Sequence, residues 1–421
     1  MDSLPKQKKP QAADIKISRL RNDIETVAKI GWDSEKGGVC RPGFSVADID
    51  AREWLATQMT SCGLRTHIDA AGNVIGRWEV GERPALLIGS HLDSVPNGGI
   101  LDGTLGVLAG LEVVRSMMDQ GFSPARPIEI VATSEEEGRF GGMLGSQALT
   151  GAVERDWLYS AKDDDGALLV DCLKARGFEP DKIIALRRPP ESIHAFLELH
   201  IEQGPVLETK NITIGIVEGI SGVFHWTVCV TGQANHAGTT PMDMRHDSFA
   251  ATAEFAHCIP EIIEEFGSVN SRITIGKVSV EPGFAHTVPG VTTFSIVGKD
   301  MDERVMKNLA TACQNKISKI SEKHGAVSKI DELSWLGPQP CDPQVMDVFL
   351  RAADHLGISS LSMPSGAGHD TQVMAAHSRA GMIFIPSRGG ISHSPEEHTD
   401  WDDIASGTQV LLHAARALSS S

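Results

Sequence analysis

The sequence predicts an α/β fold built on a mostly parallel sheet, with a smaller ferredoxin-like α+β domain inserted into it. Three observations carry that expectation. Short apolar runs at 85–89, 127–133, 195–199 and 382–386 have the length and continuity of buried strands. Helical patterns alternate with them, as in crossover-connected parallel sheets. Between about 212 and 334 the pattern changes to strict apolar–polar alternation in the order β-α-β-β-α-β, that of a split βαβ sandwich.

In chain order, 15–32 reads as an amphipathic helix and 45–62 as a second, with Ser45 as its cap and Gly63 as its stop. A strand with one polar face follows at 72–79, then the 85–89 strand. A helix over 105–118 ends near Gly121, and the 127–133 strand runs straight into Glu135-Glu136-Glu137. The 195–199 strand runs into His200. In the inserted segment, 226–230, 272–280, 293–297 and 327–333 read as strands, and 248–266 and 301–324 as helices. The α/β pattern then resumes with a helix at 343–356, the 382–386 strand and a closing helix at 404–418. The expected organisation is a disordered leader at 1–14, a large domain from 15–211 and 335–421, and the insert at 212–334.

The 421-residue length accommodates two domains. Hydrophobic content of 41% and charged content of 22% are those of a globular protein, and no apolar run reaches the length of a membrane span. A net charge of −17 argues against nucleic acid or an anionic membrane as partner. The basic, polar first ten residues lack the apolar stretch of a secretory signal. Seven cysteines without a CxxC pair suggest reduced thiols and a cytoplasmic protein.

Four of the apolar strands deliver ionisable groups at or beyond their C-terminal ends: His91, Glu136-Glu137, His200 and His393. In open α/β sheets the ligand crevice lies outside those ends, so groups far apart in sequence converge there. Asp102 lies one turn-rich loop beyond His91 and reaches the same place, and Gly103 after it leaves the backbone free to turn. His91, His200, His393, Asp102 and one carboxylate of the Glu136-Glu137 pair therefore form one ligand set for two divalent metal ions, with Asp102 as the candidate bridge. Imidazole and carboxylate suit Zn, Mn, Co or Ni alike. Asp93, two residues after His91, is expected to accept the other ring N–H of His91 and fix its tautomer. Glu136 and Glu137 are adjacent and point differently, so one can bind metal while its neighbour faces the bound water. A metal pair lowers the pKa of water from about 15.7 towards roughly 7, and a nearby carboxylate carries the proton to a leaving nitrogen. Singly, each element has a bland reading: a capped turn, a solvated acidic face, a strand-end histidine. Joint placement at strand ends favours metal-assisted hydrolysis.

The motifs GSHLDSVPNGG at 89–99 with Asp102-Gly103, EEEGRF at 135–140, LHIEQGP at 199–205, ANHAGTTPM at 234–242, SGAGHD at 365–370 and GGISHSP at 389–395 resemble those of the M20 metallopeptidase-like amidohydrolases. They are most similar to its hydantoinase/carbamoylase branch, which includes N-carbamoyl-L-amino acid hydrolases, β-ureidopropionases and allantoate amidohydrolases. The resemblance spans the chain from about residue 15. It implies a dimetal catalytic domain and a lid domain that also forms a homodimer. It also implies His91, Asp102, Glu137, His200 and His393 as the metal ligands with Asp102 bridging, Glu136 as general base, and substrate contacts at Gln203, His236 and Gly368. His236 would be the lid histidine that stabilises the developing oxyanion from the partner subunit.

One departure bears on the substrate. Where the family carries Asn before Val-Pro-Gly and an Asp-x-Arg on the next strand, this chain has His286 and Val297-Gly298-Lys299. Lys keeps the charge but loses the planar fork that grips a carboxylate in two places. The expectation is a small-molecule amidohydrolase acting on an N-carbamoyl amino acid or related ureido compound, with a far end that differs from an ordinary α-carboxylate or is held more loosely. The alternatives are an aminoacylase or dipeptidase of the wider group, and a non-catalytic scaffold. Retention of the ligand set and Glu136 counts against the scaffold.

Overall fold

The computed structural model describes residues 15–420, so the expected leader at 1–14 lies outside the described residues. The chain divides into two compact units. One runs up to Glu218 and resumes at Pro340; the other is Gly219–Gln339.

The larger unit is organised on a nine-stranded sheet. At its centre Ala380–Ile385, Ile193–Ile201, Ala85–His91 and Ile128–Thr133 lie side by side and parallel. Around them the sheet is antiparallel: Ile214–Ile220 beside Ala380–Ile385, Val74–Trp78 beside Ile128–Thr133, and Arg65–Ile68 beside Val74–Trp78. The sheet is thus mixed, a correction to the mostly parallel expectation. The reason is connection length. Residues 69–73 are too few for a crossover, so the strands they join must run in opposite directions.

The parallel strands bury both faces. Leu86, Ile88, Ile130, Leu197 and Leu199 belong to the core that contains residues of helices Thr104–Asp119 and Trp401–Ser419. Leu87, Val131 and Phe196 face the other way, packing with Leu149 and Met374 of the short helices Leu144–Thr150 and Asp370–Ala375. Covering both faces explains why these strands are apolar throughout rather than alternating. The register sets His91 opposite Thr133 and His200 opposite Phe384, so the C-terminal ends share one edge.

Local signals act where expected at the second helix, Val46–Ser61. The Ser45 side chain accepts from the Asp48 N–H, and Gly63 takes a φ of +92° just beyond the end. The first helix, expected to reach Trp32, stops at Val27. The buried Arg41 guanidinium donates to the Val27 and Ile30 carbonyls, satisfying groups that further helix would have used.

In the smaller unit the sheet order is Arg272–Thr274, Val291–Asp300, Gly222–Thr231, Val327–Leu336, all antiparallel, with Val278–Glu281 also paired to Val291–Asp300. Helices Ser248–Phe266 and Glu303–Lys323 pack with it around Phe224, Trp226, Phe255 and Phe294. The continuous strand expected over 272–280 is two short ones. Between them the Lys277 N–H bonds to the Ser295 hydroxyl. The insert expected over 212–334 begins and ends later, because Ile214–Ile220 pairs with Ala380–Ile385 and Val327–Leu336 continues past the expected end.

Candidate metal centre

His91 is the last residue of its strand and His200 the penultimate residue of the neighbouring one. Their ring centroids are 6.0 Å apart, and both rings are almost fully buried. Each Nδ1 lies 2.9 Å from a backbone carbonyl, that of Asp93 for His91 and that of Ile201 for His200. A carbonyl oxygen only accepts, so each Nδ1 carries a proton and, in the neutral ring, each Nε2 turns its lone pair to the crevice. That tautomer is the one a metal needs. The expected role of the Asp93 carboxylate in this is corrected: its carbonyl holds the ring. The carboxylate instead accepts the Glu137 N–H through Oδ2 at 3.1 Å and faces Arg52 through Oδ1 at 3.7 Å. The turn after the strand folds the Asp93 carbonyl back to the ring while its side chain points to the Glu137 loop.

Asp102 reaches the same space through a tight turn. Gly103 has a φ of +62°, and a Cβ there would lie 2.4 Å from the His91 ring. The Asp102 carboxylate is shared: Oδ1 lies 3.4 Å from His91 Nε2 and 3.2 Å from His200 Nε2, whereas Oδ2 lies 3.4 Å from His393 Nε2. Glu137 Oε2 is a further 3.4 Å from His393 Nε2. Two trios result, His91–Asp102–His200 and Asp102–Glu137–His393, each with ligand atoms close enough to hold one ion. Gln203 Nε2 donates to Asp102 Oδ2 at 2.7 Å, and so does the Ser392 hydroxyl at 2.9 Å. Among the described residues Glu137 Oε1 is buried without a hydrogen-bond partner. An orphaned buried acceptor costs about 1–3 kcal/mol, and a cation removes that cost. The donor set therefore fits a pair of divalent ions.

The electrostatics point the same way. Burial pushes Glu136 well above the usual carboxylate range, and Asp370, Glu137 and Asp93 add to it against the pull of His91. Burial and Asp102 push Glu137 up to about 7. Burial also works to neutralise His91, but Glu136, Asp102, Asp93 and Glu137 outweigh it and hold that ring well above its ordinary value. The bond to Asp102 raises His393 to about 9. Asp102 itself sits well below the carboxylate range, because contacts with His200, His393 and His91 overcome its burial. So many acids close together resist ionising at once, and a cation among them would relieve that repulsion.

Glu136 Oε2 lies 3.6 Å from His91 Nε2, and Gly368 lines the same cavity together with Met143, Ala367 and His369. The remaining expected site residues lie in the smaller unit. His236 and His286 meet at one end of it: His236 pairs with Thr287, and the Ala237 N–H bonds to the His286 carbonyl. The Gly238 N–H donates to His236 Nδ1, which leaves Nε2–H as an exposed donor. Arg245 braces this loop by donating to the Thr240 and Ala237 carbonyls. Lys299 is at the far end of strand Val291–Asp300, opposite Val223, eight residues from Val291, which is opposite Thr231. At about 3.3 Å per residue that is roughly 26 Å. Burial lowers the Lys299 pKa.

Three groups around the centre were not singled out from the sequence. The His369 ring stacks edge-on against His200 with centroids 4.5 Å apart. Buried Glu198 accepts from the Ser90 hydroxyl and from the Thr371 N–H and hydroxyl, tying three segments together. Glu397 accepts from the Leu101 and Asp102 N–H groups. A charged residue inside the apolar AFLEL run was the available signal for Glu198; nothing local marks Glu397.

Residues 87–417 match the family described as Peptidase family M20/M25/M40. The chain is 37% identical over 404 residues to an N-carbamoyl-L-amino-acid amidohydrolase of Paenarthrobacter aurescens, covering 95% of this chain and 97% of that one. It is 36% identical over 403 residues to an allantoate amidohydrolase of Escherichia coli K12, covering 94% and 97%. The crystal structure of an amidase of the hydantoinase/carbamoylase family from Burkholderia multivorans superimposes with a TM-score of 0.91 at 32% identity, over 98% of this chain and 100% of that one. With the cavity's ligand geometry, these similarities place the chain in the M20/M25/M40 peptidase family, among the hydantoinase/carbamoylase amidohydrolases that cleave carbon–nitrogen bonds other than peptide bonds.

Proposed function

We propose that this protein hydrolyses an N-carbamoyl amino acid or a related ureido compound at a dinuclear metal centre. The observation that carries the reading is the sharing of Asp102 between two ligand trios, with Glu136 beside them. His91, His200 and Asp102 would hold one ion, and Asp102, Glu137 and His393 the other. Zn, Mn, Co and Ni all suit imidazole and carboxylate, and supply in the cell would choose among them. When bound, the ions supply Lewis acidity, making water a better acid and drawing charge from a carbonyl oxygen.

The protein's own part is proton traffic and positioning. Glu136, whose Oε2 lies 3.6 Å from His91 Nε2, takes a proton from the attacking water and delivers it to the leaving nitrogen. Water adds to the carbamoyl carbon and the bond to the amine breaks. The amine leaves protonated, and the carbamate that remains separates into ammonia and carbon dioxide. Gln203 and Gly368 line the approach. His236 Nε2–H offers a donor for charge on the carbonyl oxygen.

His236 and His286 stand at one end of the smaller unit's sheet and Lys299 at the other. A small substrate does not span that length, so a site using all three draws them from two copies of the chain. This supports a homodimer in which the smaller unit serves as lid and dimerisation domain. Lys299 would meet the substrate's far end as a single-point cation, favouring a group other than a tightly gripped α-carboxylate. Seven unpaired cysteines accord with a reducing, cytoplasmic setting. Among the described residues no helix is long and apolar enough to cross a membrane.

The test is ammonia release by metal-loaded protein from a panel of carbamoyl, ureido, formyl and acyl amines, repeated with Lys299→Arg. Ammonia from carbamoyl or ureido compounds, with Lys299→Arg shifting preference towards N-carbamoyl α-amino acids, is the expected result. Turnover of acyl amines or dipeptides alone, without ammonia, would replace this reading with an aminoacylase or dipeptidase.

A further inference from the structure

The two trios are not held alike. The inner rings, His91 and His200, sit at strand ends with their Nδ1 atoms clamped by backbone carbonyls. The outer ring, His393, is on a loop with a φ of +56°, and half of its side chain is exposed. Among the described residues no backbone carbonyl clamps its Nδ1; its ring contacts, to Gln203, Asp102 and Glu137, are all through Nε2. What fastens this half is a carboxylate that no part of the reaction uses. Glu397 Oε1 accepts the N–H groups of Leu101 and Asp102 at 3.0 and 3.1 Å, across nearly 300 residues of chain. Its Oε2 accepts the Ser392 hydroxyl at 3.0 Å, immediately before His393. The fit is close: a Cβ on Gly99 would fall 2.1 Å from Glu397 Oε1, so the glycine there leaves room for the carboxylate.

The Ser392 hydroxyl has one hydrogen and two carboxylate acceptors, Asp102 Oδ2 at 2.9 Å and Glu397 Oε2 at 3.0 Å. Asp102 Oδ2 is also the oxygen that faces His393 and would bridge to the outer ion. With a cation on that oxygen the hydroxyl hydrogen would be left to Glu397, which would keep the Ser392–His393 segment in place. Burying a further acid beside Asp102 is costly; the Leu101 and Asp102 N–H groups and the Ser392 hydroxyl offset part of that cost, and a cation at the centre would offset more.

We infer that Glu397, acting through Ser392, is a positioning residue that sets the affinity of the outer metal site far more than that of the inner one, whose two histidines are clamped at strand ends. This rests on the two-metal reading above. The test titrates metal-free full-length protein with Co²⁺, following calorimetry and the visible absorption of the bound ion. Wild type, Glu397→Gln and Ser392→Ala are compared, with His393→Ala marking the outer site's signal. The expected result is that Glu397→Gln and Ser392→Ala each weaken the outer equivalent 10–100-fold, the range for partners of metal ligands, and leave the inner equivalent within twofold. Ser392→Ala removes only a hydroxyl, so it gives an answer if Glu397→Gln fails to fold. Both equivalents unchanged, or both weakened alike, would overturn the inference. A wild-type protein that takes up fewer than two equivalents would instead overturn the dinuclear reading itself.

Discussion

The inner and outer halves of the centre share one carboxylate and differ in almost everything else. The inner half is built by secondary structure: two parallel neighbouring strands end in histidines, and the backbone around those ends supplies the partners for Nδ1. The outer half is built by loops: Glu137 beyond one strand, His393 beyond another, held by side chains from distant segments. The lesson is that a ligand on a strand end inherits its geometry from the sheet, whereas a ligand on a loop needs dedicated partners to reach comparable precision.

Three experiments break or sharpen that contrast. The largest effect is expected at Glu136, which lies beside the inner histidine but is placed here as proton carrier rather than ligand. Glu136→Gln should cut turnover about 10²–10⁴-fold while both metal equivalents remain, measured by ammonia release alongside metal analysis. Loss of an equivalent would make Glu136 a ligand and blur the boundary between the halves.

Next come the histidines compared as metal-free proteins. His200 is buried in packed surroundings, so His200→Ala should cost about 2–5 kcal/mol and lower the melting temperature by several degrees. His393 is half exposed, and His393→Ala should move it by about 1 °C or less. Equal shifts in the two would deny that the inner half alone is part of the structural core.

The smallest effect lies at the exit of the outer loop, where helix Trp401–Ser419 begins. Burial, with Asp400 and Asp402 nearby, raises the Asp403 pKa to about 6. The folded protein therefore holds a proton there that the unfolded chain, with a carboxylate value of about 3.9, has already lost. Stability falls as pH rises from about 4 to 6, and above that the charged Asp403 is a standing cost. Asp403→Asn should raise the melting temperature by about 1–2 °C at pH 7.5 and leave it unchanged near pH 4, the modest size reflecting a side chain near water. A gain independent of pH would show that the strain comes from packing rather than charge.

Much of the framework was legible because buried parallel strands need continuous apolar runs, and four such runs stand out against the helical patterns between them. The change of period after Asn211 marked the insert for the same kind of reason. Its edges were misjudged because Ile214–Ile220 reads like any short apolar strand, and only its pairing assigns it to the large sheet. The helices Leu144–Thr150, Arg155–Ser160 and Leu169–Ala175 are too short for a periodic signal and exist through their packing around Phe44 and Phe140. The residues named from strand ends, His91, Asp102, Glu136, Glu137, His200 and His393, line one cavity together.

The amino-acid sequence by itself determined the α/β class, the inserted α+β unit, and the kinds of side chain delivered to the edge of the sheet. Those follow from local periodicity and from which residues end an apolar run. Only the tertiary structure decided that the Asp93 carbonyl rather than its carboxylate orients His91, that the sheet is mixed, that Lys299 stands a strand's length from His236, and that Glu397 accepts the N–H of the Asp102 that both trios share. Each depends on the distance between segments remote in sequence, or on which way a turn aims a carbonyl. Periodicity records neither, because both are set by the packing of the whole chain.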